Sequence, residues 1–423
     1  MALWSQLRAP RQALLLITVA ICLVRARNQP GLDVGIGGTT ATIVPSDVAL
    51  AALGVVSLVA VIRGHAPKAA WPTLVFAAAF CALILITGAA NGAPALVSGV
   101  KVVELAALGL GALMLLRQED QIEALIDVLL LFTIAADLIG LVRFVTGGGG
   151  RQASFLGEHD FAALATLPLL YGLVLVAQRR RGRRAAVAIA AGSIGCILGA
   201  ALASLLGLYL GAAALLAIAL LRRDVHRRGV VVTILTLLVV TAGTLEIRSG
   251  DLGFLQSWFG KPASRPGQYA SSWSQRLIFA YVGGRIFLDH PGFGTGWYGD
   301  LPPKTFAHYL PDARRRFGDQ PVRYFPPSDG DFIPQQTFDE VLYELGVVGG
   351  LAFLGTLIGV GHACARAAAR RARALGPLAG AWLAAALGAL AGEGLFGGTP
   401  LAATFWLVAG VALALGTAPE VSP

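Results

Sequence analysis

Apolar runs of about 17–25 residues recur along the whole chain with short polar connections between them, and each is long enough as a helix to cross about 30 Å of hydrocarbon. They predict twelve helices, over roughly 12–26, 46–62, 69–90, 98–116, 121–145, 161–178, 185–201, 203–221, 229–246, 341–362, 376–393 and 399–416. The run 185–221 is too long for one crossing and divides near Gly199–Ser204. The pattern predicts an all-α polytopic membrane protein in three parts. Helices one to nine fill 1–246, a polar segment occupies 247–340, and helices ten to twelve fill 341–423.

Composition agrees. Only 13% of residues are charged and 56% are hydrophobic, with a mean hydropathy of +0.70, whereas soluble domains carry about 25% charged residues. The net charge of +9 does not point to nucleic acid, because the arginines fall in short connections between apolar runs. Those connections are RGHAPK (63–68), RQEDQ (117–121), RRRGRR (179–184), RRDVHRR (222–228) and RAAARRARA (366–374). Threaded through twelve helices, all five fall on one side, which the bias of Lys and Arg makes cytoplasmic, with both termini. Arg25 and Arg27 fall on the opposite side. The N-terminal basic flank and apolar core read as a first membrane helix, since no small-residue cleavage site follows. Arginine far outnumbers lysine, and Ala and Gly abound, as in a GC-rich bacterial coding sequence. The expected place is the bacterial inner membrane, with the lipid bilayer as partner.

Four cysteines lie in or beside apolar runs without C-x-x-C spacing, so neither a disulfide framework nor a metal site is expected. No Walker lysine follows the GGGG and G-x-G elements, which excludes an ATPase. Ionisable residues inside spans are costly in hydrocarbon and draw attention by default. Lys101 and Glu104, three apart, are expected to pair with each other. Asp137 lies deeper and needs a partner on another helix.

The polar segment is rich in Gly, Pro, Trp, Tyr and Arg, and a connection this long is usually functional or disordered. Residues 275–289 have helical spacing, with Leu277, Ile278, Tyr281 and Ile286 near one face. The stretch SQRLIFAYVGGRIFLDHPGFGTGWYG (274–299) combines S-x-R, a D-H-P turn and a G-x-G-aromatic ending. QQTFDEVLYELGVVGGLAFLG (335–355) and RQASFLGEHDFAAL (151–164) flank it on either side.

These three segments, in this order among twelve spans, resemble the O-antigen ligase and O-antigen polymerase superfamily. The resemblance implies a GT-C-like fold and a metal-independent, inverting glycosyltransferase without cofactors. Such an enzyme moves a glycan from an undecaprenyl diphosphate carrier to the hydroxyl of an acceptor glycan or glycolipid at the outer face. The chain departs from the family pattern at three positions. Gln335 and Gln336 stand where the family has a His-Asn pair, and Leu205 follows Ser204 where the family has an arginine. Two rivals remain: a transporter of lipid-linked glycans, which predicts matching halves, and a non-catalytic scaffold that binds polyprenyl phosphate.

A diphosphate leaving group needs positive charge as its bond breaks, and arginine binds phosphate oxygens bidentately without losing its charge. Arg276, on the S-x-R arginine, is the first candidate. Arg151 follows the glycine run, and Arg285, nine residues after Arg276, is placed near the same face. For the base, His159 is a candidate because histidine titrates near neutral pH, with Asp339 and Glu340 as alternatives. Asp160 reads more plainly as a helix N-cap. Glu344 reads as structural, with Gly346 and Gly349 allowing close packing. Trp273, Tyr281, Trp297 and Tyr298 are candidates to line a sugar site, with Gln335 and Gln336 beside the acceptor.

Overall fold

The computed structural model describes residues 6, 9–147, 149–179, 182–224, 226–249, 271–299, 301–370, 374–395 and 400–417, with only the backbone of 271–273. It is mostly helical. The long helices are α1 (Pro10–Cys22), α2 (Pro45–Ile62), α3 (Trp71–Ala90), α4 (Ala93–Val103), α5 (Ala106–Leu115), α6 (Glu119–Thr146), α7 (Glu158–Ala177), α8 (Arg183–Gly199), α9 (Leu202–Leu221) and α10 (Arg227–Ile247). Then follow α11 (Ser271–Asp289), α12 (Thr337–Ala369), α13 (Gly376–Leu390) and α14 (Pro400–Thr417). Proline opens several of them, at Pro10, Pro45, Pro72, Pro94 and Pro377, where its missing N–H costs no hydrogen bond. Among the described residues, nine helical segments are long and apolar enough to cross a membrane. Helices α7 and α14 are buried along nearly their whole length and form the interior of the bundle.

Two features depart from the sequence expectation. The chain is not wholly helical: Leu32–Ile36 and Thr39–Ile43 form an antiparallel hairpin, β1–β2. Its two-residue turn is Gly37–Gly38, both at positive φ, the backbone that a tight hairpin requires. The fourth predicted span is present as one apolar segment, Ala93–Leu115, with its helix tightened at Glu104–Leu105 between α4 and α5. Lys101 pairs with Asp47 of α2 and not with Glu104. A carboxylate on a neighbouring helix offered better geometry than the one three residues along. The expected division of 185–221 falls at Ala200, in the left-handed region at φ 44°, and Ala201.

The basic connections meet at one end of the bundle. Arg117 donates to the carbonyl of His65, Gln178 to that of Ala374, and Arg222 to those of Ala368 and Arg370. The other end carries the polar segment. There α11 buries Ile278, Val282 and Ile286, a step of four that keeps one face inward. Against them pack Phe306, Tyr309, Leu310, Phe325 and Phe332, a second small core separate from that of the bundle. Leu277 is exposed, outside the buried stripe.

The turn after α11 interlocks with a break in α12. Gly346 has φ 62° and ψ −162° inside that helix, a backbone essentially confined to glycine. The break frees backbone groups that the turn satisfies. Thr295 N–H donates to the Tyr343 carbonyl at 3.0 Å, and Val347 N–H donates back to Pro291 at 2.8 Å. Trp297 donates its backbone N–H to Thr87 and its ring N–H to Ser98, and Asn91 donates to its carbonyl. The turn is thereby wedged between α12 and the α3–α4 junction.

Candidate functional site

At the end of the bundle that carries the polar segment, four arginines converge around the start of α7. Arg25 follows α1, Arg151 lies in the α6–α7 connection, Arg248 follows α10, and Arg276 is in the second turn of α11. All four act electrostatically on the imidazole of His159. Arg248 and Arg151 in turn act on Arg276.

Helix ends explain why so much positive charge can be gathered there. The last carbonyls of a helix lack internal partners and carry its negative dipole. Arg151 Nε donates to the Gly199 carbonyl at 3.3 Å and Arg248 Nη1 to the Ala200 carbonyl at 3.1 Å, both at the end of α8. Arg276 Nη2 donates to the Gly392 carbonyl at 2.8 Å, just beyond α13. Arg151 also pairs with Glu158 at 2.7 Å. Burial draws the Arg276 guanidinium below its ordinary pKa, Arg248 and Arg151 add to this, and Glu393 opposes it.

Two carboxylates sit among these cations, and their surroundings differ. Asp160 has a fully buried side chain paired with Arg25 at 2.6 Å, and its other oxygen accepts the Leu401 amide of α14 at 2.9 Å. It therefore caps a different helix from the one expected, since α7 begins at Glu158 with Gly157 as its N-cap. Gly157 is required for this contact, because a Cβ there would lie 2.1 Å from Arg25 Nη2. Glu393 lies 4.0 Å from Arg25, with its side chain 22% exposed. Burial raises its carboxyl above the ordinary carboxylate range and Asp160 adds to this, while Arg25 and Arg276 oppose it.

Three polar atoms here are buried without a hydrogen-bond partner among the described residues: Arg276 Nε, His159 Nδ1 and Glu393 Oε2. Buried polar atoms are nearly always paired, with protein or with ordered water, so a group of them in one place leaves room for water or a polar ligand to complete their bonding.

Of the sequence candidates, Arg276, Arg151 and His159 meet in this site. The others do not. Arg285 is exposed on the opposite face of α11, because nine residues is two and a half helical turns. The Tyr281 hydroxyl bonds Asp312 in the small outer core's surface. Trp297 is fully buried, its ring used in packing, and Tyr298, at φ 64°, gives its amide to Glu344 Oε1 at 3.2 Å; both help to hold the turn. Glu340 is completely buried and accepts the Leu395 amide, and Asp339 Oδ1 accepts the Glu340 amide at 3.0 Å. These acids help to fasten the start of α12. Gln335 turns back on the Ile333 carbonyl at 3.2 Å, and Gln336 precedes the first residue of α12. The side chain of Trp273 lies outside the described residues.

Sequence reasoning missed Arg25, Arg248 and Glu393. Arg25 had a signal, since it broke the charge bias that sets orientation. Arg248 and Glu393 had none beyond their place in connections on the same side as the polar segment.

A cavity of about 500 Å³ lies elsewhere, among α2, α3, α5, α12 and α14. Its lining is apolar apart from Thr73, Thr356 and Glu104. It suits hydrocarbon and lacks the convergent polar groups of the arginine site.

Compared with protein-family models and with curated proteins, the chain matches none.

Proposed function

We propose that the protein is a membrane glycosyltransferase that takes a glycan from a polyprenyl diphosphate donor and passes it to an acceptor hydroxyl at the outer face of the membrane. On this reading the chain crosses the bacterial inner membrane twelve times. The five basic connections and both termini are cytoplasmic, and the polar segment is outside. The acceptor is a glycan or glycolipid, and no metal or cofactor takes part.

The observation that supports the reading is the gathering of Arg151, Arg248 and Arg276 at neighbouring helix ends, on the carbonyls of Gly199, Ala200 and Gly392. Three guanidiniums tied to helix-end carbonyls form a rigid cationic wall suited to a diphosphate at the membrane boundary. Charge placed in advance around a developing anion is often the largest catalytic contribution. The resemblance of the sequence to O-antigen ligases and polymerases supplies the reaction class.

Arg248 also answers one departure from that family. The residue after Ser204 at the α8–α9 break is Leu205, yet Arg248 reaches the same break from the end of α10 through the Ala200 carbonyl. A guanidinium is thus held at the end of α8, five residues before position 205.

The test is binding of undecaprenyl diphosphate to the purified protein in detergent, read by native mass spectrometry. Wild type binds, and Arg276→Ala weakens binding by about 1.5–3 kcal/mol, the scale of a charge-assisted hydrogen bond. Absence of binding by the wild type, or equal binding by the variant, overturns the reading.

A further inference from the structure

The acceptor hydroxyl must lose a proton, and the position where the family carries histidine is Gln335, which faces the Ile333 carbonyl. The structure offers two titratable groups with a spare buried atom inside the arginine site, His159 and Glu393. They are not equivalent. A proton gained by His159 would add a fifth positive charge among Arg25, Arg151, Arg248 and Arg276. A proton gained by Glu393 would remove a negative charge that already competes with Asp160 for Arg25.

The backbone around Glu393 is fixed from three sides. The Thr337 hydroxyl donates to the Glu393 carbonyl at 2.8 Å. Arg276 donates to the carbonyl of the preceding residue, Gly392. Glu340 accepts the amide of Leu395, two residues on. The buried Glu340 and Thr337 at the start of α12 therefore help to hold the connection that presents Glu393. Its side chain remains partly open, unlike that of Asp160, and is only loosely engaged at 4.0 Å from Arg25.

We propose that Glu393 is the catalytic base of the transfer, a role that rests on the glycosyltransferase reading above. The Glu393 carboxylate takes the proton of the acceptor hydroxyl as the acceptor oxygen bonds to the anomeric carbon of the donor sugar. The bond from that carbon to the diphosphate oxygen breaks in the same step. Its electron pair leaves on the diphosphate, where Arg151, Arg248 and Arg276 receive the charge. The charged groups that face the Glu393 carboxyl are Arg25 beyond α1, Asp160 of α7 and Arg276 of α11, while Thr337 and Glu340 at the start of α12 hold its backbone and that of Leu395. Two carboxylates beside one guanidinium cannot both be ionised at low cost. Asp160 is committed to Arg25 and Leu401, which leaves Glu393 to carry the movable proton. Burial lifts its carboxyl toward the working pH, as a base requires.

The experiment compares wild type, Glu393→Gln and Glu393→Asp in proteoliposomes. They are supplied with the lipid extract of a strain that lacks the gene, in which carrier-linked glycan accumulates. Release of undecaprenyl diphosphate is followed by mass spectrometry across pH, and binding of undecaprenyl diphosphate is measured in parallel. Glu393→Gln is expected to bind the carrier as wild type does, yet release it on the order of 10²–10⁴-fold more slowly. The rise of the wild-type rate with pH should vanish in this variant, and Glu393→Asp should recover part of the rate. Release at the wild-type rate with the same pH profile would overturn the role of Glu393 and leave the function standing. Loss of carrier binding together with release would make Glu393 structural and overturn the role as well. A wild type that neither binds nor releases the carrier would remove the function itself, and the base with it.

Discussion

The amide of Gly296 donates to the carbonyl of Glu344 at 2.7 Å, joining the turn after α11 to the first turns of α12. That bond exists because Gly346 interrupts α12 two residues later and frees the carbonyls that a continuous helix would use. Two glycine-rich stretches, about fifty residues apart, thus complete each other's hydrogen bonding.

Gly346→Ala should therefore unlock this junction. A non-glycine residue at φ 62° and ψ −162° costs about 1–3 kcal/mol, and its Cβ would lie 2.3 Å from the Gly292 carbonyl oxygen. A clear drop in the thermal midpoint of the detergent-solubilised protein is expected. Gly284→Ala is the control, since nothing lies within 4 Å of a Cβ there. As a helix-interior change it should be neutral or stabilising by about 0.5–1 kcal/mol.

Arg248→Ala should weaken undecaprenyl diphosphate binding about as much as Arg276→Ala, by roughly 1.5–3 kcal/mol. Arg285→Ala, on the opposite face of α11, should leave affinity unchanged. Titrations of the three variants by native mass spectrometry check the ranking. A loss at Arg285 equal to that at Arg248 would contradict the geometry.

Breaking the pair between α1 and α7 should cost more stability than any surface change. Asp160 has no exposed side-chain area, so Arg25→Ala would leave a buried charge uncompensated, at about 3–5 kcal/mol. Arg25→Lys should recover only part of that, because lysine lacks the fork that places Nε and Nη2 on one carboxylate oxygen. Differential scanning fluorimetry of the purified variants reads both.

Stability should also fall with rising pH through Glu393. Its carboxyl is raised by burial in the folded protein, so the fold binds the proton more tightly than the unfolded chain does. The resulting stabilisation is complete below the unfolded value, about 4.3, and is lost as pH rises through the higher folded value. Melting curves of wild type should decline over that window. Glu393→Gln should flatten this component, and an unchanged slope in the variant would show that Glu393 does not titrate there.

The candidate site was legible in part, and its division is instructive. Arg276 and Arg151 stood out because an arginine beside glycine or at a helix start, on the side opposite the basic connections, is a local signal. Arg285 was misplaced by half a turn, a matter of helical phase that the buried stripe Ile278–Val282–Ile286 resolves. Trp297 looked like a ligand-binding aromatic, yet its ring is consumed by packing and by Ser98. Nothing local distinguishes those two uses of tryptophan.

The sequence by itself determined the helices, the division near Ala200 and the gathering of arginines in a few connections, because length and apolarity act along the chain. It could not determine partners across it. Lys101 chose Asp47 over Glu104, Asp160 capped α14 instead of its own helix, and Glu393 entered the arginine site. Each of these choices depends on which helices the packing brings together: α2 with α4, α7 with α14, and the ends of α1 and α13 with α7 and α11. A charge in a low-dielectric interior is governed by its nearest opposite charge in space, and that neighbour exists only once the chain has folded.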